Sequence, residues 1–212
     1  PGRTGPGRTV IEMFTGIVAA KGILRGCEDL GSDRRFQIEI PAGQVGDHKQ
    51  GDSMSVAGVC LTMLEPNPNG FFADVSAETL SLTTLGSIQV GDTVNLEPAM
   101  KLADPLGGHL VTGHVDGLGE LVSRRADGRA QRFRFSLPEG LQRYVARKGS
   151  VCIDGVSLTV NSVEDRNFTV CLIPHTLEVT TLGHLEPGDR VNIEVDLVAR
   201  YVERLSQFGN FQ

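Results

Sequence analysis

What this chain lacks narrows it before any motif is read. No apolar stretch approaches the roughly 18 residues that span a bilayer as a helix, and no charged-then-apolar secretory leader is present. The four cysteines, Cys27, Cys60, Cys152 and Cys171, form no CxxC pair and show no metal-ligand spacing with histidine. They read as reduced, mostly buried thiols of a cytoplasmic protein. No lysine/arginine run is long enough to offset a formal net charge of −6, which argues against a nucleic-acid partner. The stretch "RRADGR" at 124–129 reads as a polar hairpin loop. A GxSxG elbow is missing, so a hydrolase triad is unsupported. So is a Gly-rich strand-turn-helix unit, which a reductase would need for its nucleotide.

What is present is a repeat. Of the 212 residues, 40 % are hydrophobic, enough to bury one large core or two small ones. The opening "PGRTGPGRTVIE" has no periodicity and reads as a disordered leader or an appended, non-native segment over 1–12, with Met13 as the functional start. From there an offset of 97 carries the first half onto the second without a gap. "FTGIV" at 14–18 meets "VTGHV" at 111–115. "GVCLT" at 58–62 meets "GVSLT" at 155–159. "ETLSLTTLG" at 78–86 meets "HTLEVTTLG" at 175–183, and "GDTVNLE" at 91–97 meets "GDRVNIE" at 188–194. Between 14–97 and 111–194, 27 of 84 pairs are identical, which makes the chain a duplicated domain.

Each copy reads as β: short alternating or β-branched runs are separated by turn signals such as Asn69-Gly70 and Asp127-Gly128. About six strands in some 90 residues predict an all-β fold of tandem duplicated, six-stranded closed β-barrels of Greek-key type, since closure removes exposed edges. One short helix per copy is expected to end at Gly86 and Gly183 as C-caps. After the second copy, Leu197, Val198, Tyr201, Val202 and Leu205 fall at helical spacing behind Asp196 as N-cap, predicting a C-terminal α-helix whose apolar stripe either docks on its own barrel or, as the favoured reading, serves helix-on-helix oligomerisation. The expected domains are 13–109, 110–196 and a helix and tail at 197–212.

Taken together and in order, "MFTGIV", "GGHLVTGHVDG", "GVCLT"/"DGVSLT" and "LIPHTLEVTTLG" resemble the riboflavin synthase α-chain family over residues 13 to about 205. The resemblance implies a cytoplasmic homotrimer assembled through the C-terminal helices, with one 6,7-dimethyl-8-ribityllumazine bound per barrel. It implies dismutation of two such molecules to riboflavin and 5-amino-6-(D-ribitylamino)uracil, the last step of riboflavin biosynthesis, without cofactor or metal. The reacting pair would meet between the N-terminal barrel of one subunit and the C-terminal barrel of its neighbour. The implied partners are the small-molecule substrate, further copies of the chain and, by association, lumazine synthase; neither nucleic acid nor membrane is implied. A non-catalytic lumazine- or flavin-binding antenna protein of the same fold is the alternative.

By the same resemblance, the first barrel's substrate-binding segments are Gly16, Ile17 and Val18; Cys60, Leu61 and Thr62; and Asp74, Val75, Ser76, Ala77, Glu78 and Thr79. Those of the second are Gly113, His114 and Val115; Ser157, Leu158 and Thr159; Cys171, Leu172, Ile173, Pro174, His175 and Thr176; and Lys148. The candidate catalytic residues are His114, Ser53, Cys60, Asp196 and Phe14. His114 stands where the first copy has Ile17, which is what an acid/base role confined to one copy would look like. Cys60 stands where the second copy has Ser157. With no neighbouring base in the sequence to lower its pKa, it is expected to be a polar contact or weak nucleophile. His109, in the Gly-rich linker, reads as a loop residue.

Overall fold

The computed structural model describes residues 13–41, 44 and 48–208. The leader expected at 1–12 and the tail at 209–212 lie outside them. The first copy consists of β1 (Ala20–Leu30), β2 (Asp33–Glu39), β3 (Ser53–Val56), β4 (Val59–Thr62), β5 (Leu64–Asn67), β6 (Gly70–Val75), α1 (Ala77–Leu82) and β7 (Thr93–Pro98). The second consists of β8 (Gly117–Asp127), β9 (Ala130–Ser136), β10 (Ser150–Ile153), β11 (Val156–Glu164), β12 (Asn167–Leu172), α2 (Pro174–Val179) and β13 (Arg190–Val195). The last element is α3 (Leu197–Phe208). Adding 97 to the bounds of β1, β2, β3, β6, α1 and β7 gives those of β8, β9, β10, β12, α2 and β13.

The second copy is a closed barrel in the order β10-β11-β12-β9-β8-β13, all neighbours antiparallel. The first follows the same circuit as a seven-stranded sheet, β4-β3-β7-β1-β2-β6-β5, because the strand matching β11 is broken at Met63 into β4 and β5. The cause is local. Glu65 takes a positive φ of 47° and Pro66 has no N–H to give the ladder, so pairing with β6 slips between Leu64 and Asn67. Apart from that gap, each ring encloses its own core. Leu24, Phe36, Ile38, Met54 and Phe71 fill the first, and Leu121, Phe133, Phe135 and Phe168 the second.

Three details depart from expectation. The helices stop at Leu82 and Val179, capped by Thr83 and Thr180, and short 3-10 turns carry the chain on. Gly86 and Gly183 serve as space rather than as caps. A Cβ there would sit 2.0 and 2.1 Å from the carbonyl oxygens of Leu80 and Leu177. In "RRADGR", Arg124 and Arg125 belong to β8, and the turn itself is confined to Gly128 and its neighbours.

The copies are bonded face to face about a pseudo-two-fold axis. Asn192 Nδ2 donates to Ala57 O (2.8 Å) and Thr84 Oγ1 (2.8 Å), while Thr84 N donates to Asn192 Oδ1 (2.8 Å). Asn95 mirrors it, donating to Asp154 O and accepting from Thr181 N, both at 2.8 Å. The repeated "VN" and "TTLG" are therefore one cross-link written twice. Asn192→Ala leaves a buried carbonyl and amide unpaired and should cost about 2–4 kcal/mol. A urea midpoint unchanged from wild type would contradict this role.

Candidate active site

The segments preceding each barrel decide the site. Phe14 N donates to Val111 O (2.8 Å) and Val111 N to Phe14 O (3.1 Å), so the two segments cross as an antiparallel bridge. Past the crossing, each reaches the other copy. Ser157 N donates to Gly16 O (2.8 Å), and Cys60 N donates to Gly113 O (2.9 Å). Val18 packs against the second core and Val115 against the first. A Cβ on Gly16 or Gly113 would lie 2.6 Å from the Cβ of Ser157 or Cys60, and both glycines have φ near +75°. No side chain fits this approach, which explains "TG" in both copies.

Buried carboxylates fix both hooks. Glu97 accepts from Thr15 N (2.7 Å), Thr15 Oγ1 (2.7 Å) and Gly16 N (2.9 Å). Glu194 accepts from Thr112 N (2.7 Å), Thr112 Oγ1 (2.7 Å) and Gly113 N (3.0 Å). Burial pushes both carboxyl groups up, and these donors oppose the shift. Sequence reasoning passed over them, although a Glu held at the same inward strand position in both copies was the available signal.

The hooks therefore cross between the copies: Gly113 lies on Cys60 with Val115 against the first core, and Gly16 lies on Ser157 with Val18 against the second. Within the expected segments strand alternation separates the residues. Cys60, Thr62, Asp74, Ser157, Thr159 and Cys171 are at least partly open, while Leu61, Val75 and Leu172 face the barrel interiors as core. Ile17, His114, Ser76, Ala77, Glu78, Ile173, Pro174, His175 and Lys148 are exposed; Thr79, Leu158 and Thr176 are half-buried. The Arg35 guanidinium, bidentate to Asp74 at 2.7 and 2.9 Å, holds that carboxyl below its usual range. Phe14, expected beside the bound ring, is fully buried and packed with Val111 and Cys152 between the barrels. Ser53 is buried at the start of β3, opposite Thr62. Asp196 accepts from Val198 N (2.9 Å) as the cap of α3.

His109 is the second omission, since it is no loose loop residue. It is only 9 % exposed, its N–H bonds Thr15 O (3.1 Å), and its Nδ1 lies 2.7 Å from Ser157 Oγ. Its Nε2 is buried without a partner, burial lowers its pKa, and the charge of Asp196 opposes that shift. The two preceding glycines were the signal: a Cβ on Gly108 would lie 2.0 Å from Thr15 O.

With this crossed arrangement described, comparison with known proteins gives the chain a family. A model of the lumazine binding domain matches twice, at residues 15–99 and 112–196. The chain is 49 % identical to the riboflavin synthase of Mycobacterium tuberculosis (strain ATCC 25618 / H37Rv) over 91 % of this chain and 98 % of that protein. It is 46 % identical to the Brucella abortus (strain 2308) riboflavin synthase over 92 % and 99 %. The chain belongs to the riboflavin synthase family. Among solved structures, LumP complexed with riboflavin superposes with a TM-score of 0.78 at 27 % identity, covering 86 % of this chain and 99 % of LumP.

Within this riboflavin synthase family chain, no group of three or more His, Cys, Asp or Glu among the described residues can hold a metal ion. No helix among them is long and apolar enough to cross a membrane. The most perturbed carboxylate lies elsewhere, on the pseudo-two-fold axis. Asp154 replaces Ala57 in a hairpin turn, accepts from Asn192 N (2.7 Å), and is pushed by burial up to about 7. Its proton is held more tightly folded than unfolded, so its contribution to stability is full near pH 4 and is lost as pH rises through 7. Asp154→Asn removes that titration. The thermal midpoint of the variant relative to wild type should climb between pH 4 and 7 and then level off. A difference independent of pH would contradict the assignment.

Proposed function

We propose that this chain catalyses the dismutation of two 6,7-dimethyl-8-ribityllumazine molecules to riboflavin and 5-amino-6-(D-ribitylamino)uracil, one molecule giving a four-carbon unit to the other. The observation that carries the reading is the pair of matched, reciprocal contacts of Gly16 with Ser157 and of Gly113 with Cys60, since two identical substrates require two related sites. Facing rings make the encounter effectively intramolecular, a gain of about 7–11 kcal/mol. The chemistry then needs removal of an acidic methyl proton from one ring and addition at the other. His114 is exposed beside Cys60, and Ser157 is bonded to His109, so hydroxyl, thiol and imidazole groups border the two sites.

In this reading the reacting pair forms between the first-copy site of one subunit and the second-copy site of another. Helix α3 supports such an assembly. Its polar side is bound to its own barrel through Arg200–Asp116, Arg143–Glu203 (2.7 Å) and Tyr144–Glu203. Its apolar stripe is left open, with Tyr201 at 64 % and Phe208 at 71 % exposure. Three such stripes in contact give a cytoplasmic homotrimer. The likeness to LumP favours a second reading, a binder without turnover.

Incubation with the lumazine alone, without cofactor or metal, should yield riboflavin fluorescence; tight binding without product would leave only the binder. His114→Ala should lower kcat more than it raises KM, and equal effects would remove its acid/base role. Deletion of 197–212 should convert the trimer to monomer by light scattering, and a trimer that survives it would refute the helix contact.

A further inference from the structure

The two copies differ most sharply in charge on the outer wall beside their proposed sites. On β8, β9, β11 and β12, Arg125, Arg132 and Arg134 meet the hydroxyls of Ser123, Ser162 and Thr169 around a groove of 280 Å³, with Glu164 at one end. At the matching positions the first copy carries Glu28, Arg35 and Gln37, then Gly26, Glu65 and Phe72. There Arg35 is tied to Asp74 and lies in the field of Glu28 and Glu65, which leaves the patch acidic. In the second copy Asp74 has become Cys171, and the equivalent Arg132 turns to Asp127 (3.0 Å). Arg134 pairs with Glu164 (3.0 Å), and Arg125 has no ion-pair partner among the described residues. Three guanidinium groups against two carboxylates leave one cation uncompensated, in a chain whose net charge is −6.

The groove adjoins the second-copy site proposed above. Thr169 lies two residues before Cys171 on the same face of β12, a separation of about 7 Å. Cys171 Sγ is 3.9 Å from the Asp127 carboxylate that holds Arg132. A five-carbon ribityl chain covers a similar length. Guanidinium forks and hydroxyl donors in so small a space suit a tetrahedral dianion. The flanking Asp127 and Glu164 would repel a longer polyanion.

We propose that this groove is a phosphate subsite of the second-copy site, recognising a ribityl ligand that ends in a phosphate monoester. The inference rests on the lumazine-site reading above and adds a consequence to it. A phosphorylated form of the product would occupy the second-copy site in preference to the first and exclude the substrate there.

The test is titration of the full chain with riboflavin and with its 5′-phosphate ester, flavin mononucleotide, followed by quenching of flavin fluorescence at low and high salt. The phosphate ester should bind one site per chain at least tenfold more tightly than riboflavin at low salt, and the advantage should shrink as salt screens it. Arg125→Glu, which installs the residue of the first copy, should abolish the advantage, and Arg125→Lys should retain part of it. Inorganic phosphate should weaken the ester but not riboflavin. Circular dichroism establishes that the variants are folded. Equal affinities of the two ligands, or a ratio unchanged in Arg125→Glu, would overturn the subsite while riboflavin binding kept the lumazine-site reading intact. Failure of riboflavin to bind at all would remove both.

Discussion

Everything in this molecule depends on two backbone hydrogen bonds that run the wrong way for independent domains. Gly16 of the first copy gives its carbonyl to Ser157 of the second, and Gly113 of the second gives its carbonyl to Cys60 of the first. Glu97 and Glu194 hold the hooks from behind, each accepting three donors. Burying a carboxylate is expensive, and charge-assisted bonds to amide and hydroxyl donors offset it. The same two bonds bring Ser157 onto Gly16 and Cys60 onto Gly113, so the fold and the proposed site rest on one arrangement.

Much of this was legible beforehand. The offset of 97 placed the strands and short helices of the second copy at the positions fixed by the first, because identical spacing of core positions imposes identical registers. The turn glycines and the amphipathic stripe of α3 were equally plain. The exchange of hooks was not. Periodicity reports which residues face inward but not which core they face, and Val18 and Val115 look alike in sequence. His109 was misjudged for a related reason: a loop residue becomes buried only when another part of the chain closes over it. The break at Met63 could have been read from Pro66, whose missing amide predicts an interrupted ladder.

Identity between the copies is concentrated in the skeleton, and difference in the groups that face solvent or ligand. The asparagines, the hook glycines and the anchoring glutamates are the same in both. Cys60 against Ser157, Ile17 against His114, and the acidic patch around Arg35 against the arginine groove are not. Two sites built on one skeleton thus differ in the side chains they present and in charge rather than in framework.

The exchange also bears on how such a chain arises. A molecule with a single copy would present one hook and one cleft of matching shape, each unsatisfied by its own fold. Two such molecules would satisfy one another across a true two-fold axis. Joining them with the linker around Gly107 and Gly108 turns that encounter into an internal one, at an effective concentration far above anything free chains reach. Once tethered, the halves need no longer be the same, and each can acquire substitutions that a symmetric dimer would be forced to carry twice.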